Sequence, residues 1–178
     1  LQDTKVTLLD FACGTGTFLL ESIRHSLEGI DKGIKNSFIK DHILKNFYGF
    51  EYLIAPYTVA HLKLSEFLKE EGYELKGDER LGVYLTDTLD DKKLERNDLF
   101  RELYEEGEKA NEVKLEKPIL AVMGNPPYSN YSRNREPFIL ELIKAYKEGL
   151  DEKKINIDDD YIKFVRYAQC KIEGCRYH

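Results

Sequence analysis

Short apolar runs closed by polar or glycine-rich residues alternate along this chain with longer stretches whose apolar positions recur at helical spacing. Val6-Thr7-Leu8-Leu9-Asp10 reads as a buried strand, and Phe11 to Thr17 as a tight turn of mostly small residues. Phe18 to about Gly29 follows as a helix with Leu19, Ile23 and Leu27 on one face. Asn46 to Glu51 predicts a second strand ending on an acid. Pro56 suits the first turn of the next helix. Its apolar face is Tyr57, Ala60, Leu64, Phe67 and Leu68, and Glu71-Gly72 stops it. Leu81 to Leu85 and Pro118 to Met123 are the third and fourth strands. Phe138 to Leu150 predicts a helix, and so does the stretch from about Tyr161, with Phe164, Val165 and Ala168 inward. Between strands three and four, Asp90 to Lys117 is heavily charged, with Leu94, Leu99, Leu103 and Tyr104 at helical spacing. This reads as a solvated helix and connection without chemistry. Strand–helix units in succession predict an α/β fold with a parallel sheet.

Two turns carry candidate chemistry. Strand, glycine turn and helix together aim free backbone N–H groups at an anionic or polar ligand. No Lys follows Gly16 at P-loop spacing, which removes a nucleoside triphosphate. A dinucleotide loop needs a third glycine where Leu19 stands, and Glu51 falls too late for its acid. S-adenosylmethionine remains: its loop needs an acidic strand end, here Asp10, and small residues where the methionine end passes the backbone. Glu51 and Asp87 stand at the ends of strands two and three. Glu51 suits a pair of ribose hydroxyls or a helix cap, and Asp87-Thr88 an adenine amine or a helix cap. The second turn is Gly124-Asn125-Pro126-Pro127-Tyr128, after strand four. Two prolines donate no N–H and end the ladder. Asn125 and Tyr128 are thereby presented at a strand's carboxyl end, where open α/β sheets bind ligands. Arg133 and Arg135, in the polar stretch Ser129 to Glu136, suit either a mobile loop near phosphate or plain surface charge.

Composition narrows the partners. The 178 residues make one domain's worth of chain, and 42% apolar against 34% charged is ordinary for a globular protein. No apolar run approaches a bilayer span and no leader is visible, so a cytoplasmic location is expected. A net charge of −6 argues against bulk electrostatic binding of nucleic acid; if the domain acts on nucleic acid, most backbone contacts must come from elsewhere. The 3 cysteines have no framework spacing, and Cys170, Cys175 and His178 make only a weak zinc pattern. His25, His42 and His61 are isolated and form no catalytic constellation. The chain begins at Leu1 with strand-like sequence a few residues on, as a piece of something longer would.

In this order, Leu8-Leu9-Asp10-Phe11-Ala12-Cys13-Gly14-Thr15-Gly16-Thr17-Phe18, Gly49-Phe50-Glu51, Thr86-Asp87 and Asn125-Pro126-Pro127-Tyr128 resemble the adenine-N6 DNA methyltransferases of restriction–modification systems. Gly49 to Tyr57 and Asp160-Tyr161-Ile162-Lys163-Phe164 resemble stretches of the large single-chain enzymes that join methylation to DNA cleavage. The resemblance implies a Rossmann-like, mostly parallel sheet flanked by helices. It also implies that residues 1–178 are a partial domain, the cofactor-binding half plus the catalytic corner, with about four of seven strands. By the same resemblance, S-adenosylmethionine is held by Asp10, Ala12, Cys13, Gly14, Gly16, Thr17, Phe18, Glu51, Tyr52, Asp87 and Thr88. Catalysis falls to Asn125, Pro126, Pro127 and Tyr128. The implied partners are double-stranded DNA, recognised mainly outside this chain, and fused nuclease, translocase or target-recognition domains. Phe11 departs from the family, which commonly has Pro there, a change that a strand-end turn can absorb.

The implied chemistry suits the residues. Adenine N6 is a poor nucleophile because its lone pair is delocalised, and two acceptors on the amine would localise it and stabilise the developing positive charge. The Asn125 side-chain oxygen and the Pro126 carbonyl can supply them, without a group of shifted pKa. The base must leave the duplex, and Tyr128 offers a stacking face. Protein glutamine N5-methyltransferases share the Asn-Pro-Pro-Tyr solution. A cofactor-binding fragment inactive on its own is the alternative of a different class.

Overall fold

A computed structural model describes residues 1–91, 101–128, 134–148 and 159–174. Four parallel strands form one sheet: β1 (Leu8–Asp10), β2 (Phe47–Glu51), β3 (Gly82–Leu85) and β4 (Ala121–Met123), in the spatial order β3-β2-β1-β4. Leu8 lies opposite Phe47 and Ala121, and Asp10 opposite Gly49 and Met123.

The period-2 alternation of side chains divides the apolar residues between two faces. Leu8, Phe47, Val83, Ala121 and Met123 face one core, with Leu19, Ile23 and Leu27 of α1 (Thr17–Leu27) and Ala60, Leu64, Phe67 and Leu68 of α4 (Ile54–Glu70). Ile39 and Ile43 complete that core. They belong to an excursion without an expected element: α2 (Lys32–Phe38), a π-helical turn (Ile39–Ile43) and α3 (Leu44–Asn46). Leu9, Tyr48, Phe50, Tyr84 and Val122 face the other core, covered by α5 (Arg101–Leu115), α6 (Pro137–Lys147) and α7 (Asp160–Glu173). Pro137 starts α6 where its missing N–H costs nothing, and the Asp159 carboxylate caps α7 by accepting the Tyr161 N–H at 3.0 Å.

Two expectations need correction. α5 is not a solvated connector: Ala110, Asn111, Val113 and Lys114 are buried. Its apolar stripe is too narrow to stand out among the charges, and Lys114 is buried by giving its protons to backbone and hydroxyl oxygens. In α7, Val165 is exposed, while Lys163, Phe164, Tyr167, Cys170 and Lys171 point inward. The Lys171 ammonium takes the carbonyls of Val113, Lys114 and Lys117 at 2.9 Å each, tying α7 to the C-terminal end of α5. The expectations that rested on Leu94, Leu99, the Leu103 side chain, Arg133, Leu150, Cys175 and His178 lie outside the described residues.

Candidate functional site

Both candidate turns sit at carboxyl ends of neighbouring strands. The chain runs outward from β1 through β2 and β3, then returns on the other side of β1 as β4. The helix after β1 packs on one face and the helix after β4 on the other. The carboxyl ends of β1 and β4 therefore lie at the switch point of the sheet, where open α/β sheets take their ligands.

One residue joins the two turns. The Phe11 N–H donates to the Met123 carbonyl at 3.0 Å, and the Phe11 carbonyl accepts the Thr88 hydroxyl at 2.6 Å. Its ring stacks on Phe164, centroids 5.5 Å apart. Gly124, at φ 154°, lets the Asn125-Pro126 corner close over that ring: a Cβ there would meet Phe11 ring atoms at 3.1 to 3.2 Å. Sequence reasoning passed over Phe11, although its departure from proline was the available signal. A proline could not donate the bond to Met123.

The glycine turn is held from below. The Cys13 N–H reaches the Phe50 carbonyl at 2.8 Å, and the Gly14 N–H donates to Glu51 Oε2 at 2.8 Å. Glu51 Oε1 accepts the Leu53 N–H at 2.7 Å, so the carboxylate holds both the glycine turn and the chain entering α4. Gly16 precedes α1 at φ 75°, where a Cβ would stand 3.0 Å from that of Ala60; only glycine satisfies both conditions. Cys13 is buried, its sulfur filling the space above Gly49, where a Cβ would approach to 2.8 Å. Burial first, and the charges of Asp10 and Glu51 next, push its thiol well above the ordinary range, which leaves it a packing group. Ala12 is half-buried and donates its N–H to Asp10 Oδ1 at 3.3 Å. Asp10 is fully buried, and its Oδ2 has no hydrogen-bond partner among the described residues. Burial, helped by the Glu51 charge and opposed by the Ala12 N–H, raises its pKa to about 7.

On the far side of β2, Tyr52 and Asp87 line a cleft of about 310 Å³ together with Leu85, Asn111 and Lys114. Asp87 Oδ1 accepts the Leu89 N–H at 2.8 Å and Oδ2 the Asn134 amide at 3.1 Å. Burial raises its pKa, against the Leu89 N–H and the nearby Lys114 charge. Lys114, 2% exposed, ties this loop down by donating to Thr86 Oγ1 at 2.7 Å and to the Asp87 and Asp90 carbonyls at 2.6 Å. Burial brings its pKa down to about 8. One lysine among the many charges of α5 gives no sign of this in the sequence.

At the β4 corner Pro126 is buried, and Asn125, Pro127 and Tyr128 are exposed. The Tyr128 hydroxyl donates to Asn125 Oδ1 at 3.1 Å. Its ring, 80% exposed, lies nearly parallel to Tyr161 with centroids 5.7 Å apart. Thr17 and Phe18 open α1 on the exposed side, and Thr17 Oγ1 accepts from Lys63 at 3.2 Å. Thr88, by contrast, is buried with its hydroxyl spent on Phe11. Hydrogen bonds thus link Ala12 to Asp10, Thr88 to Phe11 and Gly14 to Glu51; Tyr52 and Asp87 share the neighbouring cleft. No cluster of His, Cys, Asp or Glu suited to a metal ion occurs among the described residues. No helix among them is long and apolar enough to cross a membrane.

A family model for N-6 DNA Methylase matches residues 1–162. No curated protein matches the sequence significantly. Among solved structures, a nuclease-deletion mutant of the Type ISP restriction–modification enzyme LlaGI in complex with a DNA substrate mimic aligns with 99% of this chain and 15% of its own, at a TM-score of 0.75 and 22% identity. A DrdV–DNA complex aligns with 97% of this chain and 16% of its own, at 0.73 and 27%. The ATP-dependent Type ISP restriction–modification enzyme LlaBIII bound to DNA aligns with 97% and 12%, at 0.72 and 23%. The chain spans between 12% and 16% of the length of these structures.

Proposed function

Since the chain belongs to the N-6 DNA methylase family, we propose that it forms the cofactor-binding half and catalytic corner of an adenine-N6 DNA methyltransferase within a larger restriction–modification enzyme. The observation that carries this reading is the junction of the two turns at the β1–β4 switch point through the Phe11 N–H.

The residues fit S-adenosylmethionine on three counts. Asp10 Oδ2 is buried without a partner among the described residues, and a donor or cation arriving there would relieve it. A Cβ on Gly14 would meet nothing within 4 Å, so space for a ligand opens above the turn. Glu51 and Asp87 each spend one lone pair per oxygen on the protein and keep the others for ligand hydroxyl and amine groups. Asp10, Ala12, Gly14, Gly16, Thr17 and Phe18 would then line the methionine end, with Cys13 packed beneath the turn, Glu51 the ribose, and Tyr52 and Asp87 the adenine. Thr88 acts by bracing Phe11. When bound, the cofactor supplies an electrophilic methyl group on a sulfonium.

The chain's own part in transfer is electrostatic. Asn125 Oδ1, held in orientation by the Tyr128 hydroxyl, accepts a hydrogen bond from one N–H of the target amine, and the Pro126 carbonyl accepts one from the other. Both stabilise the charge that develops on nitrogen. Pro127 stiffens the corner. Tyr128 stacks the base that has left the duplex. With a net charge of −6, this chain leaves most phosphate contacts to the rest of the protein.

The full-length protein, incubated with isotopically labelled S-adenosylmethionine and unmethylated duplex DNA, should yield N6-methyladenine. Asn125→Ala should lower the rate by a factor on the order of 10² to 10³ while leaving cofactor affinity nearly unchanged. Label on a protein glutamine and none on DNA would favour the amide-methylating alternative. Parallel loss of rate and cofactor affinity would remove Asn125 from its role.

A further inference from the structure

Lys163 is 1% exposed, with the Asp160 carboxylate 3.9 Å from its ammonium. A buried ammonium is costly unless its protons are used. Lys163 uses its charge on the main-chain carbonyl of Asn134, in the segment that follows the catalytic corner. Asn134 is further fixed by its own Oδ1, which accepts the Glu136 N–H at 3.1 Å. Held in this way, its amide donates to Asp87 Oδ2 at 3.1 Å, opposite the Leu89 N–H on Oδ1. The carboxylate is therefore gripped at both oxygens, from the β3 side by its own loop and from the β4 side by Asn134. Lys114 holds the main chain of the same residue.

We propose that Asn134 is a positioning residue for the cofactor's adenine end and that Lys163 is its anchor, the two orienting the Asp87 carboxylate toward the cleft it lines. This rests on the reading that Asp87 accepts the adenine amine. A carboxylate with one oxygen free would rotate and offer its lone pairs to water. Gripped at both, it presents them in a fixed plane, so that affinity no longer bears the cost of ordering it. The same grip makes a residue of the catalytic side part of the cofactor site, so the two halves of the crevice are set together.

The test uses the full-length protein, with cofactor affinity measured by calorimetry and kcat at saturating cofactor. Asn134→Ala and Lys163→Met should each weaken cofactor binding about five- to tenfold, less than a full hydrogen bond to a charged group because the Leu89 N–H still holds Oδ1. The double variant should be no weaker than the worse single, because both act on one contact. In an Asp87→Ala background, Asn134→Ala should change affinity less than twofold, and in the Asn134→Ala and Lys163→Met single variants the loss should fall on cofactor affinity, with kcat at saturation within about threefold of wild type. A merely structural tie would lower the melting temperature without this pattern in affinity. If Lys163→Met does not fold, Asn134→Ala, a half-exposed site, decides the matter. Wild-type affinity in Asn134→Ala, together with a large loss in Asp87→Ala, overturns the proposal alone. Wild-type affinity in Asp87→Ala overturns the assignment of Asp87 and the proposal with it.

Discussion

Removing the Glu51 carboxylate separates support of the turn from contact with the cofactor. In the structure Glu51 accepts the Gly14 N–H at 2.8 Å and the Leu53 N–H at 2.7 Å. Glu51→Ala frees both donors. Because the side chain is half-exposed, water recovers part of each bond, and the turn loses about 1 kcal/mol per bond. The proposed ribose contacts are a separate quantity. A hydroxyl bonded to a charged acceptor is worth about 1.5–3 kcal/mol, or roughly 10- to 150-fold in the dissociation constant. The assay is calorimetric titration of S-adenosylhomocysteine and its 2′-deoxy analogue into wild type and Glu51→Ala. In wild type, removing the hydroxyl should weaken binding at least about tenfold; in Glu51→Ala it should cost less than about twofold. Glu51→Gln, which keeps one acceptor oxygen, should fall between. Additive losses, with the deoxy penalty intact in Glu51→Ala, would show that Glu51 only braces the turn and would refute the ribose contact.

Three further outcomes follow from the geometry. Tyr128→Phe keeps the ring but loses the bond to Asn125 Oδ1; transfer should slow about 3- to 10-fold, and Tyr128→Ala further, by the ~1–3 kcal/mol of a base–aromatic stack. Both should leave cofactor affinity alone, and single-turnover methyl transfer reads the difference. Phe11→Pro, which restores the commoner residue of the family, loses the bond to Met123 and the ring buried on Phe164. Against about 2–4 kcal/mol lost, the stiffer unfolded chain returns only about 0.4–1. Amide exchange around the glycine turn should therefore accelerate, and Phe11→Leu should stay near wild type. Asp10, at about 7 in the fold against 3.8 in the open chain, binds its proton more tightly when folded. Its contribution therefore favours the fold below pH 3.8, is lost as pH rises toward 7, and stays lost above it. Asp10→Asn should gain on wild type in thermal stability between pH 5 and 8; a constant difference across that window would show that Asp10 is ionised throughout.

The strands, the parallel sheet and both turns were legible because they depend on local chemistry. An apolar run such as Leu8-Leu9 ended by Asp10, glycines at Gly14 and Gly16, and prolines at Pro126 and Pro127 admit few backbone paths. α5 was not legible, because its buried stripe includes Lys114, and a lysine goes inside only when distant oxygens are brought to its ammonium. Val165 was placed inward by spacing alone, whereas α7 turns Lys163, Tyr167 and Lys171 to the core instead. The residues that join the parts of the site, Phe11, Lys114, Asn134 and Lys163, make contacts across the sheet that no neighbour in sequence announces. Composition and spacing alone determined which chemical groups stand at which strand ends. Tertiary structure alone decided that those ends stand side by side in one sheet and which buried side chains hold them there, because strand order and burial are set by contacts between residues far apart in the chain.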